Sequence, residues 1–156
     1  GAEGHGFVQL MKNLPLERLT IGVAAAAAAQ AGLEWTLEYV KTREAFGERI
    51  ADFQNTRFRL ADIATTVDVM WAYTDRAIAL YGEGKLTPEE AAKLKFWTTG
   101  REWEVLDICV QLHGGYGYIT EYPIARACLD ARVHRIYGGT NEIMREIVGR
   151  QLAGRK

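Results

Sequence analysis

The chain has 156 residues with 19 Lys+Arg against 20 Asp+Glu, a formal net charge of -1, so it carries no electrostatic footprint for nucleic acid or an anionic membrane surface. Its length allows one domain that buries roughly 70% of its unfolded surface without disulfides or a metal. Only Cys109 and Cys128 are present, and His5, His113 and His134 show no metal-ligand spacing, so reduced buried thiols and no metal site are expected. The most apolar window, 21–33, is mostly alanine interrupted by Gln30, well short of the ~20 residues a membrane span needs.

The opening GAEGHGFVQLMKNL lacks a charged-then-apolar signal pattern and reads as a loop. From Pro15 to Arg43 the residue types favour one long helix: Pro15 suits a first turn, Ala24 to Ala29 follow, and Gly47 lies just past the end. The alanine run lacks bulk, so its expected purpose is close approach to a neighbouring helix. A second helical pattern starts near Asp52, carries Leu60, Ile63, Val67, Trp71, Ile78 and Tyr81 at helical spacing, and stops at Gly82 and Gly84.

Thr87-Pro88-Glu89-Glu90 is a capping box for a third helix, with Glu90 able to reach back to the Thr87 amide. Its stripe runs through Leu94, Trp97, Val105, Ile108 and Leu112, with Arg101 in register and expected to pair with a carboxylate, and it ends at Gly114 and Gly115. After Tyr122-Pro123, the pattern gives a fourth helix over 124–133 and a fifth over 141–152. No strand-like alternation appears. The expected fold is all-α, an antiparallel up-down-up-down bundle with an additional short C-terminal helix.

Two glycine-rich turns flank an Arg/Asp-bearing segment: GGYG at 114–117 and YGG at 137–139. Glycine pairs at helix ends are often only C-caps. GGYGYI lacks the third glycine of a dinucleotide-binding fingerprint and follows a helix rather than a strand, which excludes a nicotinamide site of that kind.

Taken in order, TREAFGERIADFQ (42–54), QLHGGYGY (111–118), EYPIAR, DAR and IYGGTNEIM (136–144) resemble the C-terminal domain of an acyl-CoA dehydrogenase, over essentially the whole chain. The resemblance implies that residues 1–14 are a linker from a β-domain, that 15–156 form the bundle, and that the chain is a piece of a longer enzyme, inactive alone. The enzyme so implied binds FAD and dehydrogenates an acyl-CoA thioester to a trans-2-enoyl-CoA.

Such a reaction needs a desolvated carboxylate base for the weakly acidic α-carbon. Many members carry it in a turn written IYEGT, but here that turn reads Ile136-Tyr137-Gly138-Gly139-Thr140. Members similar to the long-chain and isovaleryl enzymes place it in the first turn of the first bundle helix. LPLERL at 14–19 then makes Glu17 the candidate base. The plain alternative is that Glu17 only favours a positive helix N-terminus, worth ~0.3–1 kcal/mol.

By the same resemblance Arg18 borders the substrate cavity, and Tyr137, Gly138 and Gly139 line its opposite wall. The implied flavin contacts are Arg43, Phe46, Gln54, Gln111, Gly114 and Gly115, with Thr140 and Glu142 matching a further flavin element. Arg43 offers a planar guanidinium suited to a pyrophosphate.

The resemblance further implies an electron-transferring flavoprotein as acceptor, and a homo-oligomer, dimer or tetramer, with flavin contacts divided between subunits. It places the protein in the bacterial cytoplasm or the mitochondrial matrix. Two other readings stay open at this point: a noncatalytic assembly subunit of a heteromeric dehydrogenase, and a flavin oxidase or monooxygenase on the same fold.

Overall fold

The computed structural model describes residues 1–154. Five helices carry the architecture: α1 (Gly6–Thr42), α2 (Gln54–Gly82), α3 (Pro88–His113), α4 (Pro123–His134) and α5 (Asn141–Leu152). Side-chain neighbours fix their directions. Gly22 of α1 abuts Leu94 of α3 and Gly32 abuts Leu106, so α1 and α3 run the same way. Leu19 clusters with Ala77 and Gln30 bonds Trp71, so α2 runs oppositely. α4 and α5 also oppose α3: His134 meets Glu102 while Ile124 lies near Leu106, and Asn141 meets Lys95 while Met144 packs on Ala92.

The α1–α3 contact explains the small residues of α1. Ala25, Ala26 and Ala29 are wholly buried. At Gly22 and Gly32 an added Cβ would lie 2.7 Å from a Leu94 methyl and 2.5 Å from a Leu106 methyl, closer than real contacts allow. The two leucines therefore occupy volume that any larger residue on α1 would need, as the alanine run led us to expect.

Four expectations need correction. α1 begins at Gly6, so the helix starts ahead of Pro15, which lies inside it. Proline there removes the bond to the carbonyl of Met11, on a stretch open to water that can replace it. Glu17 is consequently about three turns in from the start, beyond the reach of the helix-terminus effect.

Strands do occur: β1 (Glu44–Ala45) and β2 (Glu48–Arg49) form a small antiparallel hairpin. Its two central residues, Phe46 (φ 56) and Gly47 (φ 83), both adopt the left-handed conformation that a two-residue type I′ turn demands. A motif this short has no periodicity to detect.

Thr87 does cap α3, accepting from the Glu90 amide at 3.2 Å, but the Glu90 carboxylate takes Arg76 (2.9 Å) and Lys93 (2.8 Å) instead of reaching back. On α2 the buried stripe passes through Ile63, Val67, Met70, Thr74 and Ala77, leaving Ile78 and Tyr81 exposed. Arg101 pairs with Glu104 at 2.6 Å as expected.

α3 is the central element and its buried face is half polar. Lys95, Thr98, Thr99 and Glu102 are fully buried beside Leu94, Val105, Leu106 and Cys109. Thr98 and Thr99 donate to carbonyls one turn back, at 2.7 and 2.8 Å, which satisfies them locally. Lys95 and Glu102 need partners from other helices.

Candidate functional site at two poles of the bundle

One pole lies where α1 and α3 end. The hairpin and the 3-10 turn Gly114–Gly117 enclose a cleft of about 800 Å³ lined by Tyr39, Arg43, Phe46, Gln111, Gly114 and Gly115, together with Ile50, Phe53, Asn55, Thr56, Leu112, His113, Tyr116 and Ile119. Its floor is aromatic. Tyr39 stacks on His113 at 4.3 Å between ring centroids and donates its hydroxyl to the His113 carbonyl at 3.2 Å.

His113 Nδ1 donates to the Cys109 carbonyl at 2.8 Å, which sets the tautomer. Burial lowers the His113 pKa, outweighing that hydrogen bond, so the ring is neutral at pH 7. The Arg43 guanidinium lies 5.3 Å over the Tyr116 ring, a cation held at the rim by an aromatic face. Phe46 is 97% exposed and is the one non-glycine residue with positive φ among those described. An exposed aromatic ring presented by strained backbone needs a reason outside the chain's own packing. Gly115 is similar: its φ is not positive, and an added Cβ would meet nothing within 4 Å.

The other pole is the turn from Tyr137 to Thr140, between α4 and α5. Gly138 (φ 64) and Gly139 (φ 98) are successive left-handed residues. Their carbonyls are each held by a buried cation from a different helix. Arg18 Nε of α1 donates to the Gly138 carbonyl at 3.2 Å, and Lys95 Nζ of α3 donates to the Gly139 carbonyl at 2.8 Å. Lys95 also donates to Asn141 Oδ1 at 2.9 Å.

Glu17 precedes Arg18 and is half-buried, with Asn13 Nδ2 donating to its Oε1 at 3.0 Å. A Cβ at Gly138 would lie 2.6 Å from Ile21 Cδ1, so this turn presses against α1 one helical turn beyond Glu17. Tyr137 stacks flat on His134, with centroids 5.4 Å apart and planes 8° apart. His134 Nδ1 in turn meets both oxygens of the buried Glu102 carboxylate at 2.8 and 2.9 Å.

Burial dominates the electrostatics here. It lowers the Arg18 pKa against the opposing pull of Glu17. It raises that of Glu102 against the His134 hydrogen bond. Burial, with help from Arg18 and Arg135 and against Glu142, brings Lys95 down to about 8.

Comparison with known proteins agrees with this architecture. Residues 4–153 match the family model described as "Acyl-CoA dehydrogenase, C-terminal domain". The chain belongs to the acyl-CoA dehydrogenase family. It is 45% identical over 152 residues to the mitochondrial long-chain specific acyl-CoA dehydrogenase of Sus scrofa, covering 97% of this chain and 35% of that protein. It is 36% identical to a caffeyl-CoA reductase–Etf complex subunit of Acetobacterium woodii, covering 97% and 40%.

Among solved structures, an acyl-CoA dehydrogenase from Geobacillus kaustophilus superposes with a TM-score of 0.94 at 45% identity, covering 97% of this chain and 40% of that one. A Bacillus anthracis acyl-CoA dehydrogenase complexed with FAD gives 0.90 at 28% identity, covering 99% and 31%. The chain thus spans well under half the length of these relatives. Among the described residues no helix is long and apolar enough to cross a membrane.

The candidate residues that the sequence motifs pick out divide between the two poles. Arg43, Phe46, Gln111, Gly114 and Gly115 meet in the cleft. Gln54 opens α2 and is exposed outside it, while the next two residues, Asn55 and Thr56, line it. Glu17, Arg18, Tyr137, Gly138 and Gly139 gather at the second pole. Thr140 and Glu142 also lie there: Thr140 accepts from the Ile143 amide at 3.4 Å as the cap of α5, and Glu142 is exposed.

Lys95 to His113 along α3 is eighteen residues, about 27 Å at 1.5 Å per residue, so Thr140 and Glu142 stand that far from the cleft in one chain. Lys95, Glu102 and His134 stand outside the motifs that pick out the candidate residues. Their signal was present, as charged residues at positions 95 and 102 repeat at the seven-residue interval of an inward helical face.

Proposed function

We propose that this chain is the C-terminal helical domain of an FAD-dependent acyl-CoA dehydrogenase that converts an acyl-CoA thioester to a trans-2-enoyl-CoA, with Glu17 as the base. One observation carries the choice of Glu17. Position 138, where many members hold the base, is here a glycine in the left-handed region, where a Cβ would lie 2.6 Å from the Ile21 terminal methyl. The wall is therefore shaped for glycine and lies against the helix face that bears Glu17 and Arg18.

In this reading Glu17 takes the proton α to the thioester carbonyl. Its half-buried position and its bond to Asn13 keep the carboxylate oriented before substrate arrives, and substrate then excludes water from it. Arg18, buried and committed to the Gly138 carbonyl, ties the base-bearing helix to the opposite wall. Tyr137 is steadied by its stack on His134 and borders the acyl chain.

The cleft at the other pole fits a flavin nucleotide. It is large, apolar-floored, rimmed by the Arg43 guanidinium, and bordered by Gly115, for which the chain's own packing and backbone give no reason. Arg43, Phe46, Gln111, Gly114 and Gly115 would hold FAD there, Arg43 on its pyrophosphate. When bound, FAD supplies the two-electron acceptor for hydride from the β-carbon.

The roughly 27 Å between this cleft and Thr140 with Glu142 favours flavin contacts shared between two subunits, hence a homo-oligomer. Gln54 would contribute from the cleft's edge. An electron-transferring flavoprotein is the proposed acceptor, consistent with the Etf-complex relative. Bacterial cytoplasm is the proposed compartment, with the mitochondrial matrix as the alternative.

The test uses the full-length enzyme. Glu17→Gln should bind FAD normally and lose at least about 10²-fold in flavin reduction by acyl-CoA, the scale of a missing general base. Unchanged turnover would remove Glu17 from this role.

A further inference from the structure

The α3 lysine at position 95 is wholly buried, yet nothing in the proposed chemistry uses it. Burying an ammonium costs several kcal/mol unless a good partner offsets it, and Lys95 has no carboxylate partner among the described residues. Its acceptors are the Gly139 carbonyl at 2.8 Å and the Asn141 side-chain oxygen at 2.9 Å, both neutral. Of the charges that bear on it, Arg18 acts most and is of like sign; the exposed Glu142 opposes it, and Arg135 adds a smaller like-sign contribution. A position needed only for packing would hold a leucine or methionine more cheaply.

What Lys95 holds is specific. Gly138 and Gly139 have no side chains to wedge the turn in place, and both adopt positive φ. Two cations from different helices take their consecutive carbonyls, Arg18 the first and Lys95 the second. Asn141 then carries the anchoring into α5, donating to Thr99 Oγ1 at 3.0 Å and to the Phe96 carbonyl at 3.3 Å. The turn is thereby hung from the middle of α3.

We infer that Lys95 is a positioning residue for the proposed dehydrogenation: its ammonium, bound to the Gly139 carbonyl and Asn141, sets the distance between the Gly138 wall and Glu17. The inference rests on the functional reading above. A wall displaced by about 1 Å moves the thioester's α-carbon off the base, and displacements of that size cost up to about 10²-fold in rate. Ground-state binding, spread over the rest of a long acyl-CoA, changes little.

The experiment uses the full-length flavoenzyme with Lys95→Met, which keeps the bulk and removes the donor, and Lys95→Gln, which keeps an uncharged donor. Anaerobic rapid mixing with acyl-CoA separates the rate constant of flavin reduction from the substrate dissociation constant. Lys95→Met should retain FAD, lose about 10- to 100-fold in the reduction rate constant, and change the dissociation constant by less than about threefold. Lys95→Gln should fall between it and the parent.

Reduction within twofold of the parent in Lys95→Met overturns the inference, as does a parallel loss of rate and binding. If Lys95→Met does not retain flavin, Lys95→Gln is judged by the same criteria. Loss of flavin from both variants overturns it as well, because Lys95 would then serve assembly. A parent enzyme whose flavin no thioester reduces sinks the functional reading and this inference with it, whereas the other outcomes sink the inference alone.

Discussion

Alanine at position 138 should cost more stability than alanine at Gly84, although the two glycines share nearly the same backbone. Their φ values are 64° and 68°, so each substitution carries a left-handed penalty of roughly 1–2 kcal/mol. At Gly84 an added Cβ meets nothing within 4 Å, whereas at Gly138 it lies 2.6 Å from Ile21 Cδ1. Relieving that overlap means turning the half-buried Ile21 terminal methyl aside, which adds roughly 0.5–1.5 kcal/mol.

Gly138→Ala should therefore lose about 1.5–3.5 kcal/mol against about 1–2 for Gly84→Ala, and at this chain length each kcal/mol lowers Tm by about 2–4 °C. Urea unfolding of the chain followed by helical circular dichroism gives both values, with unchanged m confirming that the folded state is comparable. Ile21→Ala combined with Gly138→Ala should recover most of the extra loss, since the two positions share one volume. Losses at 138 and 84 that agree within about 0.5 kcal/mol would refute the contact, and with it the argument that this wall excludes a base at 138.

Arg43→Lys keeps the charge but loses the bidentate fork; the full-length protein should then purify with less flavin per subunit, read from the visible absorbance, and equal flavin content would remove Arg43 from the pyrophosphate. Lys95 has its pKa depressed in the fold, from 10.5 to about 8, so above pH 8 the unfolded chain binds the extra proton and the native state gains stability as pH rises toward 10.5, by at most about 3 kcal/mol. The stability difference between parent and Lys95→Met should shift toward the parent over that window and stay flat below it, as urea midpoints at several pH values will show. Burial raises the Cys109 thiol to about 11, so iodoacetamide at pH 8 should modify half-buried Cys128 first and Cys109 only after denaturation, checked by mass spectrometry.

Much of the fold was legible because its helices announce themselves chemically. The Thr87-Pro88 start of α3, its glycine end and the alanine face of α1 are local signals, and each corresponds to a feature of the structure. Pro15 is a strong local breaker signal that points to a helix start there, and only the surrounding helix overrides it. The hairpin at Glu44–Arg49 was missed because four paired residues have no period. On α3 the apolar stripe was read without its polar half, since Lys95 and Glu102 look like solvent-facing charges until other helices supply Asn141, the Gly139 carbonyl and His134.

The family and the helical class were legible in the sequence alone, because motif order and local propensity are properties of the chain. Which of those residues meet was decided by packing. Arg43 and Gly115 lie 72 positions apart yet share one cleft because α1 and α3 run in the same direction and end together. Gly138 lies against Ile21 across more than a hundred residues, in a turn whose carbonyls are bonded by Arg18 of α1 and Lys95 of α3. Such contacts depend on long-range closure between helices, and no local pattern encodes the distance at which they close.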